Sequence, residues 1–196
     1  MNINYKKLII LKVGGSVLTN KNNLKIEENK DIISNIAFEI KKHIGKLILV
    51  HGAGSFGHIL AKKYNSNTNN FFNYYEIHSS VLRLNNTIID IFHKKKINAI
   101  GISPFLISVS KNGRINSMYT KQIIEMLSKK IVPVLHGDIS IDKNEKITII
   151  SGDQIVSYLS KKLHIQKLGF GSNTDGVLDI KKNTIPTITP DNIKNY

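Results

Sequence analysis

The feature that most constrains the fold of this chain is a regular alternation of short apolar runs with longer amphipathic stretches. Each apolar run is long enough for one buried strand, and helical patterns lie between the runs. This arrangement is typical of an α/β protein with a mostly parallel central sheet. The predicted class is a three-layer αβα sandwich, with candidate strands at Leu8–Val13, Lys46–Val50, Asn98–Ile102, Ile131–Leu135 and Lys167–Phe170.

Two long stretches have apolar residues at helical spacing, so each is predicted to cover one face of the sheet. They are Glu28–Ile44 and Tyr74–His93. The segment Asp138–Ile150 alternates apolar and polar positions on both sides of a polar turn, which predicts a β-hairpin that projects from the main sheet. The run Ser151-Gly-Asp-Gln154 has the capping-box pattern that opens a further helix. The asparagine-rich segment Tyr64–Asn73 is predicted to be a mobile loop or lid.

Two of the predicted strands end in glycine-rich loops. The first strand leads into Lys12-Val-Gly-Gly-Ser16, and the second leads into His51-Gly-Ala-Gly-Ser-Phe-Gly-His58. Glycines allow backbone N–H groups to approach a phosphate without a Cβ in the way, and open α/β folds bind ligands at the carboxyl ends of their strands. A single loop of this kind is also compatible with an ordinary tight turn. The pair at one sheet edge favours a phosphate-binding site.

Two histidines flank the second glycine-rich loop, and we assign them different roles. His51 continues an apolar strand, so we expect a buried, hydrogen-bonded structural side chain. His58 stands at the far end of the loop, where an exposed imidazole can donate to an anionic oxygen. The alternative for His58 is a surface or helix-capping residue. His58 is therefore the better candidate for a ligand contact.

Acidic residues follow two further boundaries at the same predicted sheet edge. Asp138 comes after the fourth strand, and Asp153 lies in the first turn of the next helix. Asp153 is also explained as a residue that complements the helix dipole. Beside Lys12, however, its carboxylate would hold the lysine in place and keep it protonated, as phosphoryl transfer requires. The last strand is followed by Gly171–Val177, which can either contact a nucleotide or form a turn at its Asp-Gly pair.

The composition limits the classes of partner. The chain of 196 residues contains no cysteine, so disulfides, thiolate nucleophiles and cysteine-based zinc sites are excluded within it. The formal net charge is +14, but the basic residues are spread along the chain and many fall at predicted helix ends, where they complement the helix dipole. No nucleic-acid-binding motif accompanies them, and no apolar run approaches the roughly 18 residues of a membrane span. We therefore expect a cytoplasmic protein with neither a nucleic-acid nor a membrane partner.

These motifs, taken in order, resemble the isopentenyl phosphate kinase family of the amino-acid-kinase superfamily. The similarity runs from Leu8 to about Leu178, and the Gly-Ser-Phe-Gly-His loop is its most specific element. It implies an amino-acid-kinase-like fold, a homodimer, and transfer of a phosphoryl group from ATP, with Mg²⁺, to the small molecule isopentenyl phosphate. The matching segments are Lys12–Ser16, Thr19-Asn-Lys21, His51–His58, Ala61-Lys-Lys-Tyr64, Val132–Asp138, Ser151–Ile155 and Asp175–Leu178.

The resemblance also implies roles for individual residues. Lysines stabilise the transferring phosphoryl group, a histidine holds the acceptor phosphate, and an acid organises the lysines; no side chain is assigned as a metal ligand. The implied catalytic residues are Lys12, Lys21, His58 and Asp153. The residues implied for ATP binding are Lys12, Gly14, Gly15, Ser16, Ala53, Asn173, Asp175 and Gly176. Those implied for the acceptor are Gly52, Gly54, His58 and Gly152, with the apolar tail against the helix of residues 74–93.

Two departures from the family pattern keep other functions open. Ser172-Asn173 stands where relatives usually carry a Thr-Asp pair, and the glycine-rich stretch and further lysine that close over ATP have no counterpart before Tyr196. The expected organisation is a single kinase-like domain over residues 1–196 that lacks the C-terminal part of its nucleotide-binding half. The alternatives are a kinase for another small phosphate, phosphonate, nucleoside monophosphate or carboxylate acceptor, a non-catalytic acceptor-binding protein and, on charge alone, a nucleic-acid-binding protein.

Overall fold

Nine strands form the framework of the protein, for which a computed structural model describes residues 7–19, 26–64 and 70–195. All five strands predicted from the apolar runs are present, each within one or two residues of its expected bounds. The strands are β1 (Ile9–Val13), β2 (Leu47–His51), β3 (Ala99–Gly101), β4 (Ser108–Lys111), β5 (Arg114–Met118), β6 (Val132–His136), β7 (Asp138–Asp142), β8 (Ile147–Ile150) and β9 (Lys167–Gly171).

Seven α-helices surround these strands within the described ranges. The predicted helix of residues 28–44 starts at Lys30 and ends in a 3-10 turn, and that of residues 74–93 starts three residues earlier than expected. Phe71–Asn73 of the predicted loop are therefore helical, while residues 65–69 lie outside the described residues. None of the helices in these ranges is long and apolar enough to cross a bilayer. They are α1 (Gly15–Leu18), α2 (Lys30–Ile40), α3 (Gly54–Lys63), α4 (Phe71–Lys94), α5 (Pro104–Ile107), α6 (Lys121–Ser128) and α7 (Gly152–Lys162).

The main sheet is parallel throughout, in the order β3-β6-β2-β1-β9, and its strands β2 and β6 are buried on both faces. Alternate residues of a strand point to opposite faces, as β2 illustrates. Ile48 and Val50 pack with residues of α6 and α7, whereas Leu47 and Leu49 pack with residues of α2 and α4. The sheet therefore lies between two helical layers, and the predicted three-layer αβα sandwich is confirmed.

A second, smaller sheet of four strands has the order β5-β4-β7-β8. The predicted hairpin is confirmed, because β7 and β8 pair antiparallel and do so outside the main sheet. The remaining two strands of this sheet, β4 and β5, are not predicted by the sequence. Three of the five residues of β5 are exposed, so its sequence lacks the apolar alternation that marks a strand.

Backbone hydrogen bonds join the loops at the carboxyl edge of the main sheet. The N–H of Gly14 donates to the carbonyl of Gly171 (2.8 Å), and the N–H of Gly52 donates to that of Val13 (2.9 Å). The N–H of Gly137, after β6, donates to the carbonyl of His51 (3.0 Å). Four neighbouring strands are thus connected just beyond their ends, so this edge is a continuous backbone surface.

The lysine-rich ends of several helices lie at the opposite, amino edge of the sheet. Three helices end there in the same way, with a residue of positive φ followed by an isoleucine whose N–H donates to a carbonyl five residues earlier. This is the Schellman arrangement, in which glycine is the usual residue at the left-handed position. Here Lys96, Lys130 and His164 occupy it, with φ of 60°, 57° and 51°.

Candidate active site

Two adjoining cavities open at the carboxyl edge of the main sheet. The larger has a volume of about 760 Å³ and the smaller about 180 Å³. Lys12, Gly15 and His58 line both of them. A group bound in one cavity can therefore meet a group bound in the other beside these three residues.

The larger cavity lies between the first glycine-rich loop, the start of α3 and the segment after β9. Of the eight residues predicted to bind ATP, six line it: Lys12, Gly14, Gly15, Ser16, Asp175 and Gly176. Asn173 is not among the lining residues, but its Nδ2 donates to the Ser16 carbonyl at 3.0 Å. The amide at this position thus fastens the segment after β9 to the first glycine-rich loop. An aspartate could not donate this hydrogen bond.

The smaller cavity lies between the second glycine-rich loop, the start of α7 and the first half of α4. Gly52, His58 and Gly152, predicted to bind the acceptor, line it. The structure places Ala53 in this cavity and Gly54 in the larger one, the reverse of the sequence assignment. Its apolar lining is formed by Ala61, Ile77, Val81, Ile149 and Ile150, of which Ile77 and Val81 lie on the helix predicted to hold an apolar tail.

Lys12 and Asp153 form an ion pair where the two cavities meet. The Lys12 Nζ and the Asp153 Oδ1 are 3.1 Å apart, so the predicted contact between the strand end and the helix start is present. The Lys12 side chain is 18% exposed and that of Asp153 is 62% exposed. An ion pair with so exposed a partner contributes little to stability, on the order of 1 kcal/mol or less. Its main effect is to fix the position of the lysine.

The two glycine-rich loops touch through their backbones. A Cβ placed on Gly15 would lie 2.1 Å from the Gly54 nitrogen, and one on Gly52 would lie 2.6 Å from the Gly15 nitrogen. Gly54 itself has a φ of +53°, in the left-handed region that favours glycine. The pattern of glycines therefore reflects close packing of one loop on the other.

His51 is a buried structural residue, as predicted. Its Nδ1 donates to the Gly52 carbonyl at 3.0 Å, and its Nε2 accepts from the Asn85 amide at 3.0 Å. Burial, with a smaller contribution from the neighbouring His136, lowers the pKa of His51 to about 3. The neutral imidazole thus holds α4 against the end of β2.

Asp138 lines the smaller cavity, but its side chain is fully buried. Its Oδ1 accepts from the Ile139 N–H at 2.8 Å and from His78 Nδ1 at 2.7 Å, and its Oδ2 accepts from the Ser103 hydroxyl at 3.0 Å. The carboxylate is occupied by these bonds. Asp138 therefore ties α4 and the segment before α5 to the start of β7, and does not present a free acid to the cavity.

His58 is exposed at the junction of the cavities, as expected. The second predicted lysine, Lys21, lies outside the described residues. The residues predicted to be catalytic that the structure describes, Lys12, His58 and Asp153, all lie around this junction.

Comparison with known proteins places these residues in a family. A model of the amino acid kinase family matches residues 7–195. The chain belongs to the amino acid kinase family. Isopentenyl phosphate kinase from Methanocaldococcus jannaschii is 40% identical over 95% of this chain and 76% of its own length. An X-ray structure of an isopentenyl phosphate kinase superposes with a TM-score of 0.83 at 33% identity, covering 90% of this chain and 78% of the other. The product complex of the T. acidophilum enzyme gives a TM-score of 0.74 at 28% identity, covering 90% and 75%.

Several cavity residues of this amino acid kinase were not assigned a role from its sequence. Ser55, Phe170 and Thr174 line the larger cavity, and Gly57 and Gly137 line the smaller one. The two glycines stand in motifs that were recognised as a whole. Ser55 and Thr174 also lie in recognised segments, His51–His58 and Gly171–Val177, but neither was singled out. Phe170 carries no signal of its own, because a phenylalanine in a strand is common in any α/β fold.

Proposed function

We propose that this amino acid kinase transfers the γ-phosphoryl group of ATP to isopentenyl phosphate, forming isopentenyl diphosphate and ADP. The observation that carries the proposal is the sharing of Lys12, Gly15 and His58 by two adjoining cavities. One cavity has the size and backbone-rich lining of a nucleotide site, and the other is small and mainly apolar at its far end. Transfer between two bound phosphates requires this adjacency.

The smaller cavity favours an acceptor with a hydrocarbon tail. An amino-acid acceptor would place an ammonium group in this cavity, and a buried charge needs a partner. The Asp138 carboxylate is fully buried and already accepts three hydrogen bonds, so it is not free for that role. The other described carboxylate at this cavity, Asp153, is paired with Lys12 at 3.1 Å. The exposed imidazole of His58 at the mouth and the apolar residues behind it suit a phosphate that carries a short alkenyl chain.

In the proposed reaction, an oxygen of the acceptor phosphate attacks the γ-phosphorus in line. The new P–O bond forms as the bond from the γ-phosphorus to the β,γ-bridging oxygen breaks, and ADP leaves with that electron pair. Lys12 offsets the charge on the transferring oxygens, and Asp153 holds Lys12 in position. The family resemblance assigns the same task to Lys21. His58 donates to the acceptor phosphate.

Magnesium is expected to bind together with ATP. Within residues 7–19, 26–64 and 70–195, no group of three or more His, Asp or Glu side chains is placed to hold a metal ion. Asp175 is the one carboxylate among the described residues that line the larger cavity. This fits Mg²⁺, which is usually held by one or two carboxylates together with substrate phosphates. When bound, the ion neutralises charge on the phosphoryl oxygens.

A non-catalytic acceptor-binding protein is the second candidate. It is favoured by the wall of the larger cavity that β9 and the segment after it form, where Phe170 is 58% exposed and Val177 is 59% exposed. An open wall leaves a triphosphate hydrated and weakens the electrostatic interactions made with it. A protein of this kind would bind isopentenyl phosphate but turn it over slowly. A single kinase-like domain, a homodimer and a cytoplasmic location stay predictions.

The deciding experiment is a turnover assay with purified protein, MgATP and a panel of acceptors. The panel contains isopentenyl phosphate, a nucleoside monophosphate, a phosphonate and aspartate. We expect kcat/KM to be highest for isopentenyl phosphate by about tenfold or more. Calorimetric titration with isopentenyl phosphate and with a non-hydrolysable MgATP analogue separates the second candidate, which binds the first without turnover.

A variant pair tests whether the shared junction is responsible. Lys12→Ala should lower kcat roughly a hundredfold or more, because it removes preorganised charge from the transition state. Lys41→Ala, an exposed lysine that follows α2 at the amino edge, is the matched control and should leave kcat unchanged. A Lys12→Ala protein with near-normal kcat and only a raised KM would show that this lysine serves binding instead.

A further inference from the structure

One side chain bridges the two glycine-rich loops. The Thr19 hydroxyl donates to the Gly15 carbonyl at 2.9 Å and accepts from the Ser55 N–H at 3.1 Å. Thr19 is 3% exposed and lines the larger cavity, but it lies outside both glycine-rich loops. The two loops otherwise meet through glycine backbone, which offers no side chain to hold them together.

The bond from Ser55 completes the start of α3. The first N–H groups of a helix have no intrahelical acceptor, and the residue before the helix usually supplies a side-chain oxygen. In α3 that residue is Ala53, which makes no capping hydrogen bond. Thr19, 36 residues earlier in the chain, provides the missing acceptor to Ser55. The start of α3 is therefore capped by a residue that directly follows α1, and not by its own N-cap residue.

The bond to Gly15 fixes the orientation of a peptide group that lines the larger cavity. In a trans peptide the carbonyl and the following N–H point in opposite directions. The Gly15 carbonyl is held by Thr19, so the N–H of Ser16 points away from Thr19. A hydroxyl has one proton, and Thr19 uses it on Gly15, which leaves its lone pairs for Ser55. The two bonds therefore form one directed chain from α3 to the first loop.

We propose that Thr19 is a positioning residue for phosphoryl transfer, and that its hydroxyl sets the spacing and orientation of the two glycine-rich loops. This inference rests on the proposed kinase function. Thr19 acts through Gly15 and Ser55, which belong to the two loops, and Gly15 lies where the two cavities meet. A threonine that only bonds to the carbonyl four residues earlier is a common local feature of helix ends. The second bond, to a residue on another loop, is what gives Thr19 a role in the site.

The test compares three variants by steady-state kinetics and urea unfolding. Thr19→Val keeps the shape and removes the hydroxyl, and Thr19→Ser keeps the hydroxyl. Ser110→Ala is the control, because it removes a buried hydroxyl bond, 2.9 Å to Ser140, in the smaller sheet away from both cavities. Turnover is measured with isopentenyl phosphate and MgATP, each varied at saturating levels of the other.

We expect Thr19→Val to lower kcat by about tenfold to a hundredfold with both KM values within about threefold of wild type, since a small misplacement of reacting groups has effects of this size. Thr19→Ser should stay within about threefold of wild type in kcat. Ser110→Ala should lower the urea midpoint without lowering kcat. If Thr19→Val is not recovered folded, Thr19→Cys replaces it, because a thiol is a weak hydrogen-bonding group.

Three results would overturn the inference. They are a hydroxyl-free variant with wild-type kcat, a Thr19→Ser protein impaired as much as Thr19→Val, and an equal loss of kcat in Ser110→Ala. Each of these leaves the proposed function standing, because the wild type still turns over the acceptor. A wild type that phosphorylates no phosphate acceptor would overturn the function and the inference together.

Discussion

Replacing Gly15 by alanine should separate the two glycine-rich loops. The new Cβ would lie 2.1 Å from the Gly54 nitrogen, 2.5 Å from the Gly54 Cα and 3.1 Å from the Ala53 carbonyl carbon, all of them backbone atoms. Non-bonded carbon contacts are normally about 3.5 Å or longer, so the 2.5 Å separation from the Gly54 Cα alone requires the loops to move apart by about 1 Å. A displacement of about 1 Å at a reacting centre can reduce a rate about a hundredfold, which is about 2.7 kcal/mol in the activation free energy.

Gly171→Ala provides the matched control for this substitution. Gly171 also lines the larger cavity, but a Cβ there would meet its nearest neighbours at 3.8 Å, an ordinary contact distance. The assay measures ADP release at saturating isopentenyl phosphate and MgATP, with circular dichroism to confirm folding. We expect Gly15→Ala to lose about a hundredfold in kcat and Gly171→Ala to stay within about threefold. The reasoning is refuted if a folded Gly15→Ala protein retains normal kcat, or if both variants lose activity equally.

Three further predictions concern single side chains. His58→Ala should raise the KM for isopentenyl phosphate with little change in unfolding free energy, because the residue is exposed and contacts both cavities; unchanged acceptor kinetics would refute its assignment, and His58→Asn, which retains a donor, should be less affected. Asn173→Asp should raise the KM for ATP by a few fold, because the amide group that donates to the Ser16 carbonyl is replaced by a carboxylate oxygen, which cannot donate. Equal kinetics for Asn173→Asp and wild type would contradict this. The pKa of His51 is about 3 in the folded state and about 6.5 when unfolded, so its contribution to stability is complete above about pH 7 and is lost as the pH falls below 6.5. Between pH 7 and 5.5 the free energy of unfolding should therefore fall by about 1 kcal/mol because of His51. In His51→Gln, which has no titrating side chain at this position, urea unfolding should not show this part of the decrease. An identical pH dependence in the two proteins would count against a neutral buried His51.

The parts of the site that could be predicted from the sequence are those built from short, local patterns. The loop after β1 and the loop after β2 each follow an apolar run directly, so one short segment of sequence predicts both the strand and the glycine-rich loop at its end. The pairing of Lys12 with Asp153 was also predictable, because one residue ends a strand and the other begins a helix at the same edge. Parallel strands bring such boundaries together whatever the rest of the chain does.

The parts that could not be predicted depend on contacts between distant residues. Thr19 meets Ser55 across 36 positions, and His78 meets Asp138 across 60. Asp138 was read as an acid available at the sheet edge, but bonds from His78 and two other groups occupy it. The capping box at Ser151 shows the same limit. Its hydroxyl accepts from the Gln154 N–H as expected, but the Gln154 side chain donates to the Gly113 carbonyl and does not return to the helix start.

The three helix ends with left-handed residues are positions at which the stability of this protein can be raised without changing its active site. A residue with a side chain at such a position costs roughly 1–2 kcal/mol relative to glycine, and asparagine tolerates the conformation better than lysine or histidine. The three residues, Lys96, Lys130 and His164, lie at the amino edge, away from both cavities. Replacing them by glycine should therefore leave catalysis unchanged. Gains at well-separated positions usually add. Substitutions at the carboxyl edge that improve activity but weaken the fold could therefore be compensated from the far end of the same sheet.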